Sequence, residues 1–419
     1  MNLILRLFTF PDLLFSLILF FKFINLNKHC TPLSDRNMAV KEIDGSKLEG
    51  GGQVIRLSVA LSCLLEQPIQ IIKIRAGRSN PGLKPQHIAG IYLVKEMCKG
   101  VTRGDQQNSC VLSFEPQSLS MGNFNLNVDS RTAASISLMI QSVLPVAIFS
   151  NCSSTITMKG GTDVRFAPPM DYVINVLFPL YHKLFGISCD IHINKRGFYP
   201  RGGGDVKFTV NPLNYNGYLK PIEMIDSGSS FESTIRGIIF ITEKDTAPVV
   251  GQPRLRGSHS KFPPTPSFEF AYDIGVLIKK KLRQFSYNDV KIEINVEKSN
   301  VFHGSVVLVA ESEKCFIGSS IIYDERKSLT DIVMNVCDKF LMDLMAKSCV
   351  DENTMDNLII FMALANGKSK VKCREITLHT KTAIHIAEQL TNAKFQIKQT
   401  EDRLNEIVCE GIGFKRHII

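Results

Sequence analysis

The sequence predicts a mixed α+β / α/β fold, with a core of repeated strand–helix units interrupted by a small inserted α/β domain. Three observations carry this. From Met38 onward, short β-branched runs alternate with stretches whose apolar residues fall at helical spacing. Glycine-rich turns at 50–52, 160–161 and 202–204 separate these units, and the units are weakly self-similar, as stacked copies would be. After Pro212 the pattern changes, and it returns to the earlier style only from about Val350.

The first 37 residues stand apart. Residues 13–21 (LLFSLILFF) form an apolar run between Asp12 and Lys22, short of the ~20 residues a bilayer requires. No small-x-small cleavage site follows. Segment 1–37 therefore reads as an extension outside the fold, with a membrane anchor or a cleaved signal as alternatives, and membrane association is not expected. The first part of the core is placed at 38–212. Gly52–Leu65 predicts a helix with Val54, Leu57, Ala60, Leu61, Leu64 and Leu65 on one side. Residues 69–76 (IQIIKIRA) predict a strand. Helices follow at 133–149 and 171–185, each with a strand after it, at 155–159 and 188–194. The insert is placed at 213–348. It has a strand at 235–241, a Pro-rich loop at 243–267, a helix at 268–285, strands at 290–297, 304–310 and 315–323, and a helix at 329–347. The core resumes at 349–419.

Composition is near the globular average across 419 residues, with 44% hydrophobic and 21% charged, which excludes a disordered, collagen-like or disulfide-scaffold chain. The 49 Lys+Arg against 40 Asp+Glu leave a formal charge of +9, a mild bias compatible with a polyanionic partner. The 11 cysteines include no C-x-x-C pair and read as reduced thiols, and no clustered zinc ligands are found. Two nucleotide-binding motifs are absent. Gly367-Lys368-Ser369 has Met362 where a P-loop needs its first glycine, and no G-x-G-x-x-G opens a helix. Lys41-Glu42-Ile43-Asp44-Gly45 misses K-x-D-G by one residue and reads as a turn.

Four segments combine residue types that chemistry needs. At 49–53 (EGGGQ), three glycines before a helix allow backbone N–H groups to approach an anion. Glu49 fits there if a divalent cation bridges carboxylate and phosphate, and a flexible turn with a solvated Glu is the competing reading. At 74–87, Arg75, Arg78 and Lys84 crowd a stiff Pro/Gly loop, either a phosphate clamp or a solvated basic loop. At 195–205 (KRGFYPRGGGD), basic residues interleave with Phe198 and Tyr199, which suits single-stranded nucleic acid and equally a tight turn with packed rings. At 375–386, His379 sits where a helix begins, either as a nucleophile toward phosphorus or as a capping contact. His385 reads as structural.

Together these segments resemble the RNA 3′-terminal phosphate cyclase family. The match lies in EGGGQ (49–53), RAGRSNPGLKPQH (75–87), RGFYPRGGGDV (196–206) and LHTKTAIHIAEQL (378–390), in that order. FMALANG (361–367) and CEGIG (409–413) are similar to the animal-type members. The resemblance implies three core units, each a four-stranded sheet with two helices, and an inserted small α/β domain. It implies an enzyme that uses ATP and Mg2+ or Mn2+ to convert the 3′-terminal phosphate of RNA to a 2′,3′-cyclic phosphodiester. The route it implies runs through covalent histidyl-AMP and an RNA-adenylate. Carried over by motif, His379 is the nucleophile and Glu49 a metal ligand. Arg56, Arg75, Arg78 and Gln86 hold substrate phosphate, while Gln53, Gln141, Pro168, Asn353, Asp356 and Asn357 line the nucleotide pocket. Asn353 stands where relatives carry a tyrosine. The rival implied reading is the non-catalytic, cyclase-like ribosome-assembly branch, which lacks the histidine. The resemblance also implies a nuclear location and no obligatory protein partner.

Overall fold

A strand that returns parallel to its neighbour needs a long connection, usually a helix, and among the described residues the chain uses that device four times. The computed structural model describes residues 39–118, 123–213, 217–228, 235–244 and 266–415. The extension 1–37 and most of the 243–267 loop lie outside the described residues.

The first unit runs β1 (Lys41–Asp44), α1 (Gly52–Leu65), β2 (Ile69–Ile72), α2 (Pro85–Cys98), β3 (Val101–Arg103), β4 (Leu112–Glu115). β1 is parallel to β2, β2 antiparallel to β4, and β4 antiparallel to β3, giving the order β1-β2-β4-β3. The second unit runs β5 (Asn125–Asp129), α3 (Ile136–Ala147), β6 (Ser154–Gly160), α4 (Met170–Tyr172), a π-helical turn (Val173–Leu177), α5 (Phe178–Phe185), β7 (Cys189–Lys195) and β8 (Gly204–Val210). Its order, β5-β6-β8-β7, has the same pattern of parallel and antiparallel pairs.

The third unit opens with the two-residue β9 (Glu223–Met224) and then breaks off. The insert follows, with β10 (Ile235–Glu243), α6 (Pro266–Arg283), β11 (Val290–Lys298), β12 (Gly304–Glu311), β13 (Phe316–Tyr323) and α7 (Leu329–Met345) in a sheet of order β11-β10-β12-β13. The unit resumes with α8 (Glu352–Leu364), β14 (Lys368–Cys373), α9 (Leu378–Thr391), β15 (Lys394–Gln399) and β16 (Asn405–Glu410). β9 pairs parallel with β14, and the order β15-β16-β14-β9 repeats the pattern of the other two sheets. The range 213–348 expected for the insert therefore contains one short strand of the core.

Helix α1 differs from the one-sided stripe its spacing predicts. All but three residues of Gly52–Leu65 are buried, because α1 lies among α2, α3 and α9. Such a helix is apolar all round, and each buried Leu or Ile contributes roughly 1.5–3 kcal/mol by leaving water. Strand β2 is also shorter than predicted. Lys73 (φ 51°) and Arg75 (φ 54°) turn left-handed and lift the basic loop off the sheet. Among the described residues, no helix is long and apolar enough to cross a membrane.

The packing of α1 and α8 against α9 brings three helix N-termini together. Thr377 caps α9 through Thr380 N (3.1 Å), and Asp351 caps α8 through Asn353 N and Thr354 N (both 3.0 Å). No side chain caps α1, whose N-cap is Gly51.

Candidate active site

Each of these helices contributes a polar side chain from its first turn or two, and the three join in a chain. Asp356 on α8 accepts a hydrogen bond from Gln53 Nε2 at 3.0 Å, and Gln53 Oε1 faces His379 Nδ1 at 2.8 Å. A carboxylate only accepts, so it fixes which end of the amide it meets, and the amide oxygen is left for the imidazole. His379 Nδ1 is therefore the protonated nitrogen, and Nε2 keeps its lone pair. Burial pushes the Asp356 carboxyl up to about 6, opposed by His379, Arg56, Gln53 and Asn357. Asn357 donates to Asp356 Oδ1 (3.0 Å) and to the backbone oxygen of Asn353 (2.7 Å).

The glycine turn before α1 lies against the same histidine. Glu49 N donates to Thr382 Oγ1 (3.2 Å), which ties the turn to α9. Arg78 reaches across to Glu49, pairing with its Oε1 and with its backbone oxygen. Glu49 Oε2 is buried without a hydrogen-bond partner and lies 3.9 Å from His379 Nδ1. Arg75 Nε is likewise buried and unpartnered. Burial lowers the Arg75 pKa, as does Arg78. An orphan anionic oxygen and an orphan cationic nitrogen facing one turn fit a cation and a phosphate respectively. No cluster of three His, Cys, Asp or Glu able to hold a metal occurs among the described residues. Glu49 would thus be a lone protein ligand, as for a magnesium ion held mostly by phosphates and water.

Gly52 is required by what packs over it. A Cβ there would lie 2.4 Å from His87 Nε2 and 2.9 Å from Arg56 Nη1. Desolvation brings the Arg56 guanidinium down to about 10, against the pull of Asp356 and Glu49. His87 is a site residue that sequence reasoning passed over. It is buried, and burial together with Arg56, Arg75 and Lys84 takes its pKa down to about 3. Its Nδ1 accepts from Lys84 N (3.0 Å), so the neutral ring turns an Nε2–H toward the turn. The only signal was its place two residues after Pro85, inside a motif already read as a basic loop.

A cleft of about 510 Å³, counting its space open to solvent, runs beside these groups. Gln53, Arg56, Gln141, Asp356 and Asn357 line it together with Tyr181 and Phe361. Pro168 stands next to it, its oxygen accepting from Ser137 Oγ (2.8 Å), and Ser137 is in the lining. Gln86 lies in the first turn of α2 beside His87. Asn353 is exposed in the first turn of α8 and is not part of the lining.

The 195–205 segment resolves differently. Arg196 is buried on Asp163 (3.2 Å) and Asp171 (2.8 Å) and lies over the Phe240 ring (4.1 Å). Phe198 stacks between Phe240 and His303. This part of the signature fastens the second unit to the insert, while Lys195, Tyr199 and Arg201 remain exposed.

With this geometry in view, comparison with known proteins is decisive. The family model for RNA 3'-terminal phosphate cyclase matches residues 47–397. A Dictyostelium discoideum protein named "Probable RNA 3'-terminal phosphate cyclase" is 37% identical over 92% of this chain and 87% of its own length. The Pyrobaculum aerophilum and Drosophila melanogaster RNA 3'-terminal phosphate cyclases are 33% and 32% identical, each over 90% of this chain. The chain belongs to the RNA 3′-terminal phosphate cyclase family of enzymes.

Proposed function

We propose that this protein uses ATP to convert an RNA 3′-terminal phosphate into a 2′,3′-cyclic phosphodiester, with His379 as the covalent nucleophile. The observation that carries this reading is the Asp356–Gln53–His379 chain, which leaves Nε2 of an accessible imidazole as the reactive nitrogen. In the first step Nε2 attacks the α-phosphorus of ATP, an N–P bond forms, and the bond to diphosphate breaks. In the second, an oxygen of the RNA 3′-phosphate attacks that phosphorus and frees the histidine. In the third, the vicinal 2′-OH attacks the activated 3′-phosphorus, AMP leaves, and the hydroxyl proton goes to solvent. Ring closure is intramolecular, so positioning supplies what a strong base otherwise would.

The cleft between α1, α3 and α8, with Gln141, Asp356 and Asn357 in its wall and Pro168 beside it, is where this reading puts the nucleotide. Arg56, Arg75, Arg78, Gln86 and the His87 Nε2–H supply donors for phosphate oxygens, and guanidinium forks match a terminal phosphate bidentately. Glu49 is the group that would hold Mg2+ or Mn2+, whose chemistry when bound is to neutralise phosphate charge.

The test is incubation with α-labelled ATP. Acid-labile label is expected on the protein and none on His379→Ala, with chase into RNA ending in 3′-phosphate but not 3′-OH. Undiminished labelling of His379→Ala would falsify the assignment. Absence of labelling on the unaltered chain would favour the non-catalytic, ribosome-assembly type of relative.

A further inference from the structure

Two aromatic rings stand clear of the surface on adjoining loops, one of which leads into the wall of the cleft. Phe166 is fully exposed (101%) and Tyr199 is 69% exposed. Their loops are stitched together, since Thr162 N donates to Gly197 O (2.8 Å) and Asp163 bridges to Phe198. Phe166 adopts φ 65°, a left-handed conformation that an aromatic residue takes only at a cost. The loop holds it there from both sides. Arg165 Nη2 pairs with Asp324 Oδ2 at 2.5 Å, and Pro168 O receives the hydroxyl of Ser137 in the cleft wall. One residue, Ala167, separates Phe166 from Pro168, at most ~7 Å of chain. Packing does not explain the ring, and folding alone would favour a small polar residue or glycine at this position.

The charges around the rings point to a polyanion. Lys195, Arg165, Arg201 and Arg326 are exposed. Carboxylates stand among them: Asp324 is shared by Arg165 and Arg326 (2.5 and 2.7 Å), Glu325 pairs with Lys244 (3.0 Å), Glu297 lies 3.6 Å from the buried Arg196, and Asp205 is the strand partner of Lys195. Asp324 between two guanidinium groups leaves one cation uncompensated on the loop that carries Phe166. Exposed rings set among guanidinium groups are how sequence-tolerant proteins hold single strands, because every base offers a face for stacking.

We propose that Phe166 and Tyr199 are stacking platforms for the bases preceding the 3′ end of a single-stranded RNA whose terminus enters the cleft. This rests on the cyclase reading and adds to it where the body of the substrate lies. The test is binding of a short single-stranded RNA carrying a 3′-phosphate and 2-aminopurine near that end, followed by the fluorescence quenching that stacking produces. Phe166→Ala combined with Tyr199→Ala is expected to weaken binding about 10- to 100-fold and to abolish the quench. Phe166→Trp combined with Tyr199→Phe, which keeps both planes, is expected to retain binding and quenching. Tyr272→Ala, at an exposed ring on α6, is expected to bind as the unaltered chain does. The proposal is overturned if the double alanine variant binds and quenches as the unaltered chain does, or if Tyr272→Ala weakens binding equally. Acid-labile AMP labelling of the unaltered chain, measured alongside, reports on the cyclase chemistry alone. Quenching without labelling supports the platforms and removes the chemistry. Labelling without quenching does the reverse.

Discussion

At position 53, an amide between a carboxylate and an imidazole has one satisfied orientation, and that orientation leaves Nε2 of His379, the proposed nucleophile, with its lone pair. Gln53→Leu keeps the approximate volume and removes both hydrogen bonds. Covalent labelling is expected to slow ~10- to 100-fold, as a mispositioned nucleophile does, while circular dichroism and melting temperature stay close to the parent. A Gln53→Leu variant that labels at the parental rate would show that the chain has no positioning role. The sign of the pH effect follows from Asp356, whose carboxyl is raised from 3.8 to about 6. Above pH 6 it is ionised and grips the Gln53 amide. Below, it takes a proton and the grip weakens. The labelling rate should therefore fall as pH drops through about 6, and Asp356→Asn should remove that limb while lowering the plateau. Gln53 and His379 were within reach of the sequence because EGGGQ and LHTKTAIH contain them, whereas Asp356 came only with the resemblance. His87 was not, because a buried neutral histidine and a helix-capping one carry the same letter.

Secondary elements were read best where packing demands periodicity. Helix Gly52–Leu65 emerges with the boundaries its pattern predicts, and the insert's strands and helices fall within a few residues of their expected places. What the pattern could not show is β9. Two residues, Glu223 and Met224, carry no periodicity, and only pairing with Lys370 and Val371 makes them a strand. The same limit applied to 195–205, where basic and aromatic letters fit RNA and packing equally well. Arg196 and Phe198 go to packing, Arg196 by its burial between Asp163 and Asp171, while Tyr199 and Arg201 stay exposed. Arg196→Ala leaves both carboxylates buried without their cation and is expected to cost about 3–5 kcal/mol of stability. Denaturant titration checks this, and a loss well below that range would mean that the pair is solvated in solution.

Across the described residues, the three core sheets share one strand order, and the side chains of the candidate site come from different units: Glu49, Gln53 and Arg56 from the first, Asp356 and His379 from the third. Asp351 joins them further. Its carboxylate caps α8 and accepts from Tyr172 of the second unit (2.6 Å) and from Gly318 N of the insert (2.9 Å). All of these contacts lie among the described residues, the first of which is Ala39. A chain beginning at Met38 is accordingly expected to melt with the parent and to label with AMP at the parental rate. Unfolding or a several-fold loss of labelling in that chain would place the leading segment inside the working protein.

The insertion point also has a temporal meaning. In the third sheet, Glu223 bonds to Lys370 across 147 residues of sequence. Local contacts form early and distant ones wait on loop closure, so units of short range precede it. During synthesis the first two sheets and the insert can each close on residues already made, whereas the third must wait for the chain past Glu410. His379, the proposed nucleophile, thus lies in the unit that closes last during synthesis. On the proposed reading, a stalled or shortened chain that stops before His379 carries the glycine turn and the basic loop yet lacks the group that would accept AMP. Such copies would be expected at most to occupy RNA ends, so on that reading completeness of the chain is itself a condition of chemistry.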